Sequence, residues 1–166
     1  MLLHIQNQAA FLTFLTAGFP AKDDTPELLM ALERGGADVI ELGMPFSDPQ
    51  ADGPAIQESN RIALQQGVDY AMCLKYIKEA RSRGLKVPVV LMGYYNPIMA
   101  YGEERAVHDA KSAGANGFIL VDLLPEEAGT FLNACRREKM AFVPLIAPTT
   151  DVNRIRYLSS LADAFI

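Results

Sequence analysis

Short runs of β-branched and aromatic residues recur along this chain, each followed by a longer stretch with helical spacing. That alternation constrains the fold more than any other feature. The strand candidates are Phe11–Thr16, Asp38–Leu42, Pro88–Met92, Gly117–Val121, Phe142–Ile146 and Asp163–Ile166. They read as nearly continuous apolar runs, such as Val89-Val90-Leu91 and Phe118-Ile119-Leu120-Val121. Strands of that kind are covered on both faces and belong to parallel sheets flanked by helices.

The intervening stretches carry helix signals. Thr25 reads as an N-cap before Pro26, and Gly35-Gly36 closes the same helix. Asp69 reads as the cap of a helix that puts Cys73, Leu74, Ile77 and Ala80 on one face and stops at Gly84. Further helices are expected over Pro54–Gln66, Glu103–Ala113, Pro125–Glu138 and Asp151–Leu161. The order is βα repeated five times, with a sixth strand beginning at Asp163.

Such alternation leaves two α/β architectures, an open doubly wound sheet or a (β/α)₈ barrel. A doubly wound nucleotide-binding sheet would often show a glycine-rich phosphate turn after its first strand. Here Thr16-Ala17-Gly18-Phe19-Pro20 follows it, so the barrel is favoured. A complete barrel takes about 250 residues, and the chain has 166. The expectation is a single partial domain over residues 1–166, an incomplete (β/α)₈ TIM barrel of about five βα units plus the start of strand six.

Composition narrows the partners. Fifteen Lys and Arg against 20 Asp and Glu give a net charge of −5, without the basic block that nucleic acid or an anionic membrane would call for. No apolar run reaches the roughly 18 residues of a membrane span, and Met1-Leu2-Leu3-His4 lacks the form of a signal peptide. The expected location is cytoplasmic. Cys73 and Cys135 stand far apart, with no CxxC pair or His cluster, so the expectation is two reduced thiols and no metal site. His4 and His108 have no triad or metal partner in sequence and are read as surface residues.

In parallel βα folds reactive residues gather at the carboxyl ends of strands. Glu41 stands out there, because it interrupts Val39-Ile40-Glu41-Leu42, a strand expected to be buried on both sides. A carboxylate so placed is either paired with a Lys or Arg at the barrel mouth or desolvated within a site. Desolvation would raise its pKa toward the range of a general acid/base. The loop Met44–Pro54 adds Asp48 before Pro49 and Asp52 before Gly53-Pro54. Each of these acids has a turn-forming explanation, and each could serve as a second carboxylate beside Glu41. Tyr94, Tyr95 and Asn96 follow the third strand, either lining a pocket, offering a partner surface or packing at the rim.

Three segments together resemble the tryptophan synthase α subunit: Phe14-Leu15-Thr16-Ala17-Gly18-Phe19-Pro20; Ile40 through Gln57, with its Glu-Leu-Gly and Asp-Gly-Pro ends; and Gly93-Tyr94-Tyr95-Asn96-Pro97. Gly114-Ala115-Asn116-Gly117-Phe118 and Val121-Asp122-Leu123-Leu124-Pro125-Glu126-Glu127 agree in order and spacing. The Met-Gly-Tyr-Tyr-Asn-Pro wording is similar to the fungal enzymes, in which α and β activities are fused. The resemblance implies a (β/α)₈ barrel that cleaves indole-3-glycerol phosphate to indole and glyceraldehyde 3-phosphate. It assigns the proton transfers to Glu41 and stabilisation of the indole ring to Asp52. It further implies an indole pocket from Phe14, Met92, Tyr94, Ile119 and Val121, and a contact surface for the β subunit or a fused β domain from Pro45, Asp48, Pro49 and Asn96. Pyridoxal phosphate would belong to that β partner, and this chain would need no cofactor of its own. The family's phosphate-binding residues follow strands six to eight, and most of its N-terminal plug helix is replaced by Met1–His4. The 166-residue chain by itself is therefore expected to be inactive. Two other readings stand beside this one. A different phosphate-handling barrel would need a metal-ligand set or a strand-end Lys, and neither is present. A shortened, non-catalytic α-like chain that binds or regulates a β partner would keep the Pro45–Asp52 loop, as this chain does.

Overall fold

In the computed structural model, residues 9–166 are described; His4 and the remainder of Met1–His4 lie outside them. Five parallel strands stand in the order of the chain, β1 (Leu12–Thr16), β2 (Val39–Gly43), β3 (Val89–Gly93), β4 (Gly117–Leu120) and β5 (Ala141–Phe142). Sequential order without a reversal is the order of a barrel, whereas a doubly wound sheet reverses at a switch point. The helices are α1 (Thr25–Arg34), α2 (Pro54–Gln65), α3 (Tyr70–Ser82), α4 (Tyr95–Tyr101), α5 (Glu103–Ala113), α6 (Gly129–Glu138) and α7 (Val152–Leu161).

Period-two alternation sorts the strand side chains into two sets. Ile40, Leu42, Val89, Leu91, Phe118, Leu120 and Phe142 join Leu29, Ile77, Val107 and Phe131 of the helices in the main core. The opposite face carries a smaller cluster of Val39, Val90, Ile119 and Val143, with Leu12, Met92 and Phe165 packed against it. The larger apolar mass thus lies between sheet and helices, and the other face corresponds to a barrel interior.

The helix ends follow local chemistry in most places. Asp69 caps α3 by accepting the Met72 N–H at 2.8 Å, and Asp151 caps α7 by accepting the N–H groups of Asn153 and Arg154. Gly36 takes a φ of 93° after α1, and the Ala37 N–H reaches back to Leu32 O at 3.1 Å. Thr25 departs from expectation. Asp24 holds the cap position of α1, and the buried Thr25 hydroxyl instead accepts the Gly18 N–H at 2.8 Å. That bond ties the turn after β1 to the helix. Gly18 is required there, because its φ is 77° and a Cβ would lie 2.4 Å from Val68 Cγ2.

Three boundaries shift for identifiable reasons. The fifth strand stops at Phe142 instead of Ile146; Val143 N–H makes one more bond to Phe118 O, and Pro144 has no N–H with which to continue the ladder. Helix α6 begins at Gly129 rather than Pro125, because 124–128 form turns closed by the Glu127 N–H to Leu124 O and the Ala128 N–H to Pro125 O. Asp163–Ile166 form no assigned strand. Asp163 nevertheless lies alongside β5, donating its N–H to Phe142 O and accepting the Phe142 N–H on its carboxylate, both at 3.2 Å. This is where a sixth strand would pair.

At the amino ends of the strands Arg81 forms a hub. Its guanidinium donates to Gly114 O, Leu85 O and Val87 O and to Asn116 Oδ1, the last also accepting the Val89 N–H. One half-buried cation thereby holds the turns that deliver β3 and β4. Replacing Arg81 with Ala orphans several of these acceptors and is expected to cost about 2–4 kcal/mol, on the scale of charge-assisted hydrogen bonds. Urea unfolding checks it; a loss below about 0.5 kcal/mol would show that the turns hold without the hub.

Candidate active site

Glu41 sits at the centre of β2, two residues from Val39 and so on the same face as the inner cluster. Register places Phe14 beside it on β1 and Val90 beside it on β3. The side chain is half-buried, and burial pushes its carboxyl above the ordinary glutamate value with no cation among the described residues acting to lower it. The strand-end ion pair that would have explained Glu41 structurally is therefore not the arrangement found among those residues.

Phe14, Met92, Tyr94, Ile119 and Val121 fall on the same face by alternation with Leu12, Val90 and one another. Ile119 and Tyr94 are buried, Met92 and Val121 are half-buried, and Phe14 is exposed. The Phe14 ring lies across Gly43, where a Cβ would come within 2.6 Å of the ring edge. A side chain at position 43 would push the ring away from the strand that carries Glu41.

Asp52 lies on the loop after β2. That loop is held at three points. The Asp52 N–H donates to Pro49 O at 3.1 Å, the Gln57 side chain of α2 donates to Asp52 O at 2.9 Å, and the Ala51 N–H donates to the Tyr94 hydroxyl at 2.8 Å. The same hydroxyl lies 3.1 Å from Asp52 Oδ2. Tyr94 stacks on Phe46, with centroids 5.0 Å apart and planes at 28°. Helix α2 is pinned in turn: Ser59 Oγ donates to Ile56 O, and Thr16 at the end of β1 meets Ser59 Oγ at 2.7 Å in a buried contact.

The loop's other residues divide by exposure. Pro45 is buried and Pro49 half-buried; Asp48 is exposed and bonded to the Gln50 amide at 2.9 Å. Asn96 is exposed too, but not on a loop: Tyr95–Tyr101 is a helix that the sequence pattern did not suggest. Its first N–H, from Tyr95, is accepted by Asp122 Oδ1 at 2.7 Å from the end of β4. A cap supplied 27 residues away leaves no local signature, and Pro97 in the first turn needs no intrahelical partner for the N–H it lacks. Thr16, Phe46 and Asp122 stand in the strand-end segments that the sequence marks, but their partners are not legible there, and Ser59 is the site residue that sequence reasoning missed.

A cleft of about 450 Å³ opens among Phe46, Asp48, Gln50, Tyr94, Val121 and Asp122. A larger groove of about 640 Å³ lies on the side of the loop facing Gln57, Glu58 and Arg61 of α2, and neither the groove nor the cleft is lined by Glu41 or Asp52. Size alone does not locate the chemistry; the desolvated carboxyl does. Among the described residues no group of acids, Cys and His is arranged to hold a metal ion, and no helix is long and apolar enough to cross a membrane. Cys73 and Cys135 are both free and buried, and burial pushes the Cys135 thiol up to about 12. His108 is exposed and pairs with Glu138 at 3.0 Å.

Sequential parallel strands with helices on one face and a half-buried acid on the other define a chain of the (β/α)₈ barrel class. Comparison with known proteins makes the assignment specific. The family described as "Tryptophan synthase alpha chain" matches residues 2–166. The tryptophan synthase of Saccharomyces cerevisiae is 52% identical over 161 residues, covering 97% of this chain and 23% of that protein. The α chain of Geotalea uraniireducens is 49% identical, covering 97% of this chain and 60% of its own length. The crystal structure of the α subunit from Legionella pneumophila superposes with a TM-score of 0.91 at 36% identity, covering 96% of this chain and 62% of that one. An open form of tryptophan synthase from M. tuberculosis superposes with a TM-score of 0.89 at 32% identity, over 94% and 62%. The chain belongs to the tryptophan synthase α-chain family, and it spans between about a quarter and three fifths of the length of these relatives.

The raised pKa of Glu41 has a consequence for stability. Below the ordinary value of 4.5 the carboxyl is neutral whether folded or unfolded. As pH rises above it the unfolded chain releases the proton before the folded one, so stability falls until the folded pKa is passed. Replacing Glu41 with Gln is therefore expected to raise the urea midpoint at pH 7 and to leave it nearly unchanged at pH 4. An equal effect at both pH values would mean that desolvation of the charge is not the cause.

Proposed function

We propose that this chain carries the acid–base centre of the tryptophan synthase α reaction, the retro-aldol cleavage of indole-3-glycerol phosphate to indole and glyceraldehyde 3-phosphate. The observation that carries it is a desolvated Glu41 on the same sheet face as an apolar, partly open strip, beside an acid loop held by Tyr94. Family membership supplies the substrate class.

The chemistry needs a proton delivered to indole C3, which turns the ring into an electron sink. The glyceryl hydroxyl next to the breaking bond then gives up its proton as the C–C electrons pass into the ring. Glu41 suits both transfers: it donates while neutral and accepts once ionised, and a pKa above the ordinary carboxyl range narrows the cost of either state near neutrality. Asp52, an acceptor near the ring N–H, offsets the positive charge that forms on the protonated ring. Phe14, Met92, Tyr94, Ile119 and Val121 would hold the indole by apolar contact. No cofactor of this chain enters these steps. Asp48, Pro49 and Asn96 present surface suited to the β subunit or a fused β domain, with buried Pro45 shaping the loop beneath; pyridoxal phosphate would reside in that partner.

Assay of indole release by the protein as its gene encodes it, with the β partner present, tests the reading. Glu41→Gln is expected to lower kcat by about 10²–10⁴-fold, the usual worth of a positioned acid/base. A variant with the parent rate would remove Glu41 from the chemistry.

A further inference from the structure

The Tyr94 hydroxyl occupies a defined place in a directional chain of hydrogen bonds. Its oxygen accepts the Ala51 N–H at 2.8 Å and lies 3.1 Å from Asp52 Oδ2. A phenol has a single proton. Since the backbone N–H takes the acceptor side, that proton points to the carboxylate. Burial first, and then the charge of Asp52 and Asp122, raises the Tyr94 pKa above its ordinary value, so the phenol keeps its proton at neutral pH. The ring is fixed by its stack on Phe46 and by the bond from the next residue's N–H to Asp122 Oδ1 at 2.7 Å. Of the two Asp52 oxygens, Oδ2 is thus engaged, and Oδ1 has no hydrogen bond among the described residues.

We propose that Tyr94 is the positioning residue that makes Asp52 a one-oxygen acceptor, so that the preference of Asp52 for an aromatic ring with a free N–H over the same ring alkylated at nitrogen depends on the Tyr94 hydroxyl. The inference rests on the reading that an indole ring binds here. It adds a task for the Tyr94 hydroxyl that apolar contact with the ring does not require.

Calorimetric titration of the protein as its gene encodes it, with indole and with 1-methylindole, separates the two. The parent protein is expected to bind indole roughly tenfold or more tightly than 1-methylindole, the worth of one hydrogen bond to a charged acceptor. Tyr94→Phe keeps the ring and is expected to bind 1-methylindole within about twofold of the parent while losing most of the discrimination. Asp52→Ala is expected to lose it as well, and Tyr94→Phe added to Asp52→Ala to change nothing further. Full discrimination in Tyr94→Phe, or an equal weakening of both ligands, would overturn the inference and leave the indole reading intact. Equal affinity of the parent protein for both ligands would overturn Asp52 as the N–H acceptor, and absence of saturable indole binding would overturn the indole reading itself.

Discussion

A carboxyl group in the middle of a buried strand is the constraint from which the rest of the site follows. The neighbours of Glu41 on β2, Ile40 and Leu42, point into the main core and are fully buried, so the strand cannot rotate to carry Glu41 into water without losing them. Each such side chain contributes about 1.5–3 kcal/mol on burial, and together they outweigh the cost of a partly desolvated acid. Packing on one face of the sheet therefore holds the functional group on the other where burial raises its carboxyl above the ordinary glutamate value. Stability and reactivity are coupled through the period of a single strand.

Asp52 depends on a different kind of support. It lies on a loop, where backbone order must come from bonds made by other elements. Those bonds run across the strand ends: Asp122 of the β4 end to the Tyr95 N–H, the Tyr94 hydroxyl to Ala51 and Asp52, and Thr16 of the β1 end to Ser59 on α2. Four successive strands contribute to fixing one carboxylate. The arrangement explains why the loop can hold three prolines and two acids in a defined course: each proline gives up a donor, the Ala51 and Asp52 N–H groups are accepted by the Tyr94 hydroxyl and Pro49 O, and the Gln57 amide donates to Asp52 O.

Much of this was legible in sequence. Apolar runs bounded by Gly and polar turns located the strands to within a residue for the first four, and Asp69 and Asp151 marked their helices because an Asp cap acts within three residues. Glu41 was conspicuous for breaking an apolar run, and the long match to the α-chain family supplied its chemistry. The failures share one physical cause. The cap of α4, the bond from Gly18 to Thr25 and the pairing of Thr16 with Ser59 join residues 27, 7 and 43 positions apart, and periodicity cannot see partners brought together only by folding. Pro144 was the exception, a local signal for the end of β5 that an apolar run had overridden.

The central claim is that the fold keeps Glu41 partly out of water with no cation partner among the described residues, and its own titration tests that most directly. Carbon-13 labelling of the glutamate side-chain carboxyls, with Glu41→Gln to assign the resonance, follows the group through pH. A midpoint clearly above 4.5 in the folded chain is the expected result; a midpoint at or below that value would contradict the account, since it would mean that water or a cation already stabilises the ionised form.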